Sequence, residues 1–305
     1  MSYRQLFILI PCHLSIKNDS ISIQQYRHEN LVPVNDVFTI IIDSEEVTFT
    51  SNFFTRCSKE HITILICNEK HYPNCIVNSL NQHYRPYQIL KYQLSFPESS
   101  QELITEQLLK NKIDNQYKVI QLINNDENIL KLLKKYSEEI TGKDQINREG
   151  IAAKIFFKSL YGEDFVRMEN DNINFALNYG YAVLRSVICR TVNSYGLLAY
   201  LGVNHHGNEN PFNLVYDLIE PFRPIIDYYV AKHITDIYSG MGVEEKKEIV
   251  NLLNANVKVN NKSVKLQYAI ELLVKSYLNC IENGESNLEY IELTNINFSA
   301  LNDYI

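Results

Sequence analysis

The stretch "FPESSQELITEQLLKN", Phe96 to Asn111, divides the chain in two. Pro97 is the last of three prolines, after Pro73 and Pro86, that interrupt a tyrosine-rich segment running from His71. Ser99-Ser-Gln-Glu102 then has the spacing of a capping box, in which a serine hydroxyl and a glutamate three residues on satisfy each other's backbone N–H groups. The apolar pair Leu103-Ile104 follows it, so a helix is predicted over 100–111. Before this point the apolar residues recur as they do in strands, and after it as they do in helices. The fold class is therefore α+β, a small N-terminal β-sheet domain followed by a larger all-α domain.

Leu6 to Ile10 is a short apolar run, and Leu14–Lys17 and Ile21–Gln24 alternate around the turn residues Asn18-Asp19, a hairpin signal. Val37–Ile42, Val47–Phe49 and Ile62–Ile66 are β-branched and bounded by polar residues. Two sheets packed face to face would bury these runs. Past the divide, helical periodicity predicts further elements at about 115–123, 127–139, 146–160, 174–195, 211–238, 243–253 and 265–282, with a small hairpin at Val257–Val264. The expected organisation is a β domain over 1–76, a linker over 77–97 and a helical domain over 98–305.

A length of 305 residues, 45% of them hydrophobic and 21% charged, allows a sizeable core and excludes global disorder. The net charge of −7 advertises no nucleic-acid partner, so such a site must be a local basic patch. The six cysteines, at 12, 57, 67, 75, 189 and 280, include no CxxC pair. Their scatter suits reduced core residues of a cytoplasmic protein. The apolar run near Met1 lacks both the length of a membrane span and a signal-peptide cleavage site, so no membrane partner is expected.

Chemistry concentrates in "NHHGNENPFNLVYDLIEPFRP", Asn204 to Pro224. Asn210-Pro211 is a good helix start, and Asp217 and Glu220, three apart, share a face of the helix it predicts. Pro221 should break that helix at Glu220. A histidine with carboxylates is a donor set for Mg²⁺ or Mn²⁺ with positions left for water and phosphate. A further carboxylate could come from Glu149 in "NREGIAAKIFF", beside Gly150, Ala152 and Ala153, whose small side chains would let another helix approach. Arg148 and Lys154 flank it and could hold phosphates. Each has a plainer reading. Glu149 alone would be a solvated or salt-bridged residue, His206 a surface histidine, and Asp217 a structural residue bonded to a loop backbone. Arg185 and Arg190 read as core-edge salt bridges, and Lys131, Lys134 and Lys135 as a solvated face.

Three stretches together resemble the CRISPR-associated integrases that capture new spacers, the adaptation endonucleases of CRISPR systems. They are "REGIAAKIFF", "NFALNYGYAVLRSVICRTVNSYGLLAYLGVNHH" and "NPFNLVYDLIEPFRP". The family shows a glutamate followed by small residues, a helix with Asn-Tyr-Gly-Tyr, a glycine-rich turn ending in histidine, and an acidic segment ending in Phe-Arg-Pro. All appear here in order, over about 145–230. The nine residues from Gly196 to His205 match the family's spacing, and "GLLAYLG" lacks the proline many relatives carry in that turn. The N-terminal "YRQLFILIPCHLSIKNDSISI" is similar to the type II branch.

The resemblance implies that Glu149, His205 and Glu220 are catalytic metal ligands for Mg²⁺ or Mn²⁺, with Asp217 behind them or as an alternative ligand. Arg148, Lys154 and Arg223 would contact DNA. It implies a DNA integrase and endonuclease that inserts captured fragments into a CRISPR array by transesterification at the leader–repeat boundary. The implied partners are a second copy pairing through the β domain, a small second adaptation protein that completes a hetero-hexamer, a ring-forming type II adaptation protein and the effector nuclease. Two other readings stand beside it: a non-catalytic DNA-end-binding scaffold and a structure-selective repair nuclease.

Overall fold

The computed structural model describes residues 4–71, 73–80 and 85–298. Positions 81–84 of the expected linker, and 1–3 and 299–305 at the ends of the expected domains, lie outside the described residues. In chain order the first strands are β1 (Arg4–Ile8), β2 (Cys12–Lys17), β3 (Ser20–Gln25), β4 (His28–Pro33), β5 (Val37–Ile42), β6 (Val47–Phe49), β7 (Thr63–Cys67) and β8 (Pro73–Val77). The helix α1 (Ser51–Lys59) lies between β6 and β7.

One sheet has the order β4-β3-β2-β6 and the other β1-β5-β7-β8, in which β1, β5 and β7 run parallel. The β2–β3 turn places Asn18 and Asp19 at φ of 48° and 55°, the left-handed pair a two-residue hairpin requires. Leu14, Ile21 and Ile23 of the first sheet share a core with Ile40, Ile42 and Ile64 of the second. The opposite face of the second sheet, with Phe38, Ile41 and Leu65, joins the helical core. Burial on both faces explains why β5 reads as an unbroken apolar run rather than an alternation.

The helices that follow are α2 (Pro86–Ser95), α3 (Glu98–Ile123), α4 (Glu127–Glu139), α5 (Arg148–Tyr161), α6 (Asn172–Ser194), α7 (Asn213–Leu218), α8 (Arg223–Lys232), α9 (Ile234–Tyr238), α10 (Val243–Asn251) and α11 (Leu266–Asn283). The hairpin β9 (Asn256–Val259) and β10 (Lys262–Lys265) is extended by β11 (Ile291–Glu292). Helix α3 packs on α4, α5 and α8, and α6 packs on α8. The α6–α8 contact is close because Gly180 has no side chain: a Cβ there would sit 2.4 Å from Ile226 Cγ2.

Several local expectations change. The capping box does not form; α3 starts at Glu98, with Pro97 as its cap and the N–H groups of Ser100 and Gln101 donating to the Pro97 carbonyl at 3.0 Å. Pro97, already at φ −61°, begins the helix before a serine can cap it. The helices expected at 100–111 and 115–123 are one, because buried Ile113 carries the core across the gap. Helix α2 stands within the expected linker, with Pro86 in its first turn. Helix α1 was hidden in strand-like sequence; the Thr50 hydroxyl caps it, accepting from Phe53 N at 3.2 Å, and Phe53 and Cys57 face the core. All six cysteines are free, and burial pushes the Cys57 and Cys67 thiols up to about 12. Among the described residues no helix is long and apolar enough to cross a membrane.

Candidate active site

The acidic segment breaks where Pro221 requires. Helix α7 ends at Leu218, Glu220–Phe222 form a single tight turn, and α8 resumes at Arg223. The start of α7 differs from expectation. Asn210 does not cap it; its Oδ1 accepts from Phe212 N at 3.0 Å, and the helix begins at Asn213. The Asn213 amide donates to the carbonyls of Tyr200 (3.1 Å) and Gly207 (3.0 Å), which ties the preceding loop over the helix end.

That loop presents His205. Buried Asp217 holds it through four contacts. Its Oδ2 accepts from the backbone of Val203 (2.6 Å) and Asn204 (3.2 Å), and its Oδ1 accepts from His205 N (3.1 Å) and lies 2.7 Å from His205 Nδ1. The carboxylate assigns the proton to Nδ1, which leaves Nε2 as the lone-pair donor, the carboxylate–histidine arrangement found behind metal-bound imidazoles. Both oxygens of Asp217 are engaged in this way, and together they orient the histidine. The Asp217 hydrogen bond raises the His205 pKa above its ordinary 6.5, against the opposing effect of burial.

Glu149 stands in the first turn of α5, whose end is held by Asp144: its carboxylate accepts from the N–H groups of Arg148 (2.9 Å) and Glu149 (2.7 Å). Gly150 serves this local turn rather than a helix–helix contact, since a Cβ there would come 2.5 Å from the Asn147 side chain.

Glu149 and Glu220 meet on a residue that motif spacing did not single out. Lys112, buried on α3, hydrogen-bonds Glu149 Oε1 and lies 2.6 Å from Glu220 Oε2. On its other side Glu220 pairs with Arg223, Nε to Oε1 at 3.1 Å. Burial works to raise the Glu220 pKa, but Arg223 and Lys112 outweigh it and hold the carboxyl below the usual range. Burial works to lower the Lys112 pKa, and the two carboxylates outweigh it in turn. The signal for Lys112 was a polar stripe on a buried face: Asn111, Lys112, Asn115 and Gln116 recur at helical spacing, and all are buried.

The donor set fits a divalent cation in its chemistry. It offers two carboxylates, of which Glu220 meets the Lys112 ammonium through its buried Oε2, and an imidazole with Nε2 as lone-pair donor. The three side chains do not form a finished cage. Among the described residues no three of His, Cys, Asp or Glu stand as a group that could hold a metal ion. Glu149 and Glu220 converge through Lys112, while His205 reaches Glu220 only through its field.

The expected phosphate contacts divide. Lys154 is exposed on α5. Arg148 is paired with Glu139 at 2.7 Å, and Arg223 is engaged by Glu220 and stacked 4.9 Å from the Tyr181 ring centre. Arg185 donates to the Tyr216 hydroxyl at 2.9 Å and Arg190 to the His61 carbonyl, so neither hydrogen bond is the carboxylate pair expected. Lys131 and Lys135 are exposed and pair with glutamates of their own helix, a solvated face.

The family model of the CRISPR associated protein Cas1 matches residues 7–259. The chain is 32% identical over 280 residues to the CRISPR-associated endonuclease Cas1 of Neisseria meningitidis serogroup C (strain 8013), covering 91% of each. Among solved structures it resembles a casposase bound to integration product, with a TM-score of 0.76 at 19% identity over 94% of this chain and 93% of that one. It also resembles a chain of a Cas6-RT-Cas1–Cas2 complex, with a TM-score of 0.72 at 16% identity over 93% of this chain and 35% of that one. The chain belongs to the Cas1 family of CRISPR-associated proteins.

Proposed function

We propose that the protein is a metal-dependent DNA integrase and endonuclease that inserts captured DNA fragments as new spacers into a CRISPR array. One observation carries the reading: Glu149 and Glu220, 71 residues apart (220 − 149 = 71), share one buried ammonium beside a histidine oriented by a buried carboxylate. Family membership and the endonuclease name of the Neisseria relative support it. Glu149, Glu220 and His205 would hold Mg²⁺ or Mn²⁺, which when bound polarises a phosphodiester and stabilises charge on the leaving oxygen. Asp217 keeps His205 in the ligating tautomer, and Arg223 keeps Glu220 ionised. The attacking group is the 3′-hydroxyl of a captured fragment, so the step is a transesterification at the leader–repeat boundary; water in its place gives cleavage. Exposed Lys154 positions phosphate without reading sequence.

The partners on this reading are DNA, a second copy pairing through the β domain at 1–76, and the Cas2 protein named with the solved complex, assembled as a hetero-hexamer. The ring-forming type II adaptation protein and the effector nuclease join them. The test is strand transfer of a labelled duplex into a plasmid carrying leader and repeat, with Cas2 present. Activity should vanish with chelator and with His205→Ala, and survive His206→Ala. Unchanged activity in excess chelator would overturn the proposal and favour a scaffold role.

The pH dependence has a definite sign. Only neutral imidazole binds metal, and Asp217 raises the His205 pKa. Activity should therefore fall as pH drops through a value above 6.5, and more Mn²⁺ should move that midpoint down. Stability runs the other way: the protonated His205–Asp217 pair contributes most at low pH, and that contribution is lost as pH rises through the raised pKa. Asp217→Asn should shift the activity midpoint downward; an unmoved midpoint would remove His205 as its source.

A further inference from the structure

A buried lysine needs counter-charges, and Lys112 has two, Glu149 and Glu220, with its ammonium between them. Arg223 supplies a second cation on the far oxygen of Glu220. Two carboxylates thus face two cations and balance them before any metal arrives. A divalent ion entering between the carboxylates would meet the ammonium at contact distance, where like charges in a partly desolvated site repel strongly. The backbone of Lys112 is fixed in the middle of α3, but its charge is carried on a flexible four-carbon stem. Its contact with Glu220 Oε2, 2.6 Å long, is an ion pair that the charge of an incoming cation would replace.

We propose that Lys112 is the resident cation that a divalent ion must displace: in the absence of metal its ammonium holds Glu149 and Glu220 together, and it releases both when the ion enters, so that it sets the metal concentration at which the site loads. This rests on the reading of Glu149, His205 and Glu220 as the ion's donors. Lys112 acts here as a positioning residue and a competitor. Its loss should therefore change metal affinity in the direction opposite to that of a merely structural residue.

The experiment is a Mn²⁺ titration of the full chain by calorimetry and by melting temperature, comparing wild type with K112M and K112R. K112M keeps the reach of the stem and removes the charge. It should melt lower than wild type without metal, bind Mn²⁺ at least about tenfold more tightly, and recover its melting temperature on binding. K112R should stay at or below wild-type affinity. If K112M folds only in Mn²⁺, the metal dependence of its refolding yield gives the same comparison, and failure to refold at any Mn²⁺ concentration overturns the proposal. A wild type that binds Mn²⁺, with a K112M that binds no tighter, overturns this inference alone. Silence from both proteins overturns the metal reading as well.

Discussion

Glu220→Gln is expected to lower strand transfer by about three orders of magnitude or more and to destabilise the fold as well. On the proposed reading, the activity loss follows from removing one anionic donor to a cation that would carry several kcal/mol of transition-state stabilisation. The stability loss follows from burial. Glu220 is 7% exposed and faces Lys112 and Arg223, so an amide there leaves Arg223 without its paired carboxylate and Lys112 with Glu149 alone of its two. Breaking a buried ion pair by removing one partner costs about 3–5 kcal/mol. Glu149→Gln should lose a similar share of activity with a smaller fall in melting temperature, because its side chain is 26% exposed. Strand transfer and thermal melting of the two variants check this. Wild-type transfer by either would remove that carboxylate from the site, and equal melting losses would refute the burial argument.

Gly202→Ala, a change that replaces no proposed ligand, should cost about 10- to 100-fold in metal affinity. A Cβ at this position would lie 2.4 Å from the His205 carbonyl oxygen and 2.7 Å from Asp217 Oδ2. Neither neighbour can give way cheaply: one is backbone, and the other is a buried carboxylate already accepting from Val203 and Asn204. Relief comes from moving the loop, which lengthens the His205–Asp217 contact and turns the imidazole. Overpacking adds about 1–3 kcal/mol of destabilisation. Mn²⁺ titration of a folded Gly202→Ala protein measures the effect, and unchanged affinity would show that the loop does not set the histidine's aim.

Elements that carry their own local signal were legible. The β2–β3 hairpin, β5, β6 and α4 follow from turn residues and periodicity, and the break at Glu220 follows from Pro221. Helix α1 was not legible because Phe53 and Phe54 adjoin a strand and mimic its composition. The capping box misled because Pro97 outcompetes Ser99 for the helix start. Residue chemistry offered Glu149, the histidine pair and Glu220 as candidates and the resemblance chose His205 among them, but neither pointed to the ammonium between the two glutamates. Lys112 lies 37 residues from Glu149 and 108 from Glu220 (220 − 112 = 108), and no local pattern encodes a contact at that range. Its trace was a lysine in a polar stripe on a helix that packing buries.

Helix α3 also fixes when the molecule can be complete. The Asn115 amide donates to the Pro221 carbonyl at 2.9 Å and to the Ile291 carbonyl at 3.0 Å, while its oxygen accepts from Leu293 N at 2.8 Å. Asn111 exchanges two further hydrogen bonds with the backbone of Ile291. The contacts to Ile291 and Leu293 join residues 176 to 180 positions apart. Pairings of such long range form late, because the entropy of closing the loop is spent before any contact rewards it. A nascent chain already holds Lys112, Glu149 and Glu220 when it still lacks the strand that fastens the helix beneath them. Synthesis itself thus orders the assembly: the carboxylates come first, and the frame that steadies them comes only with β11.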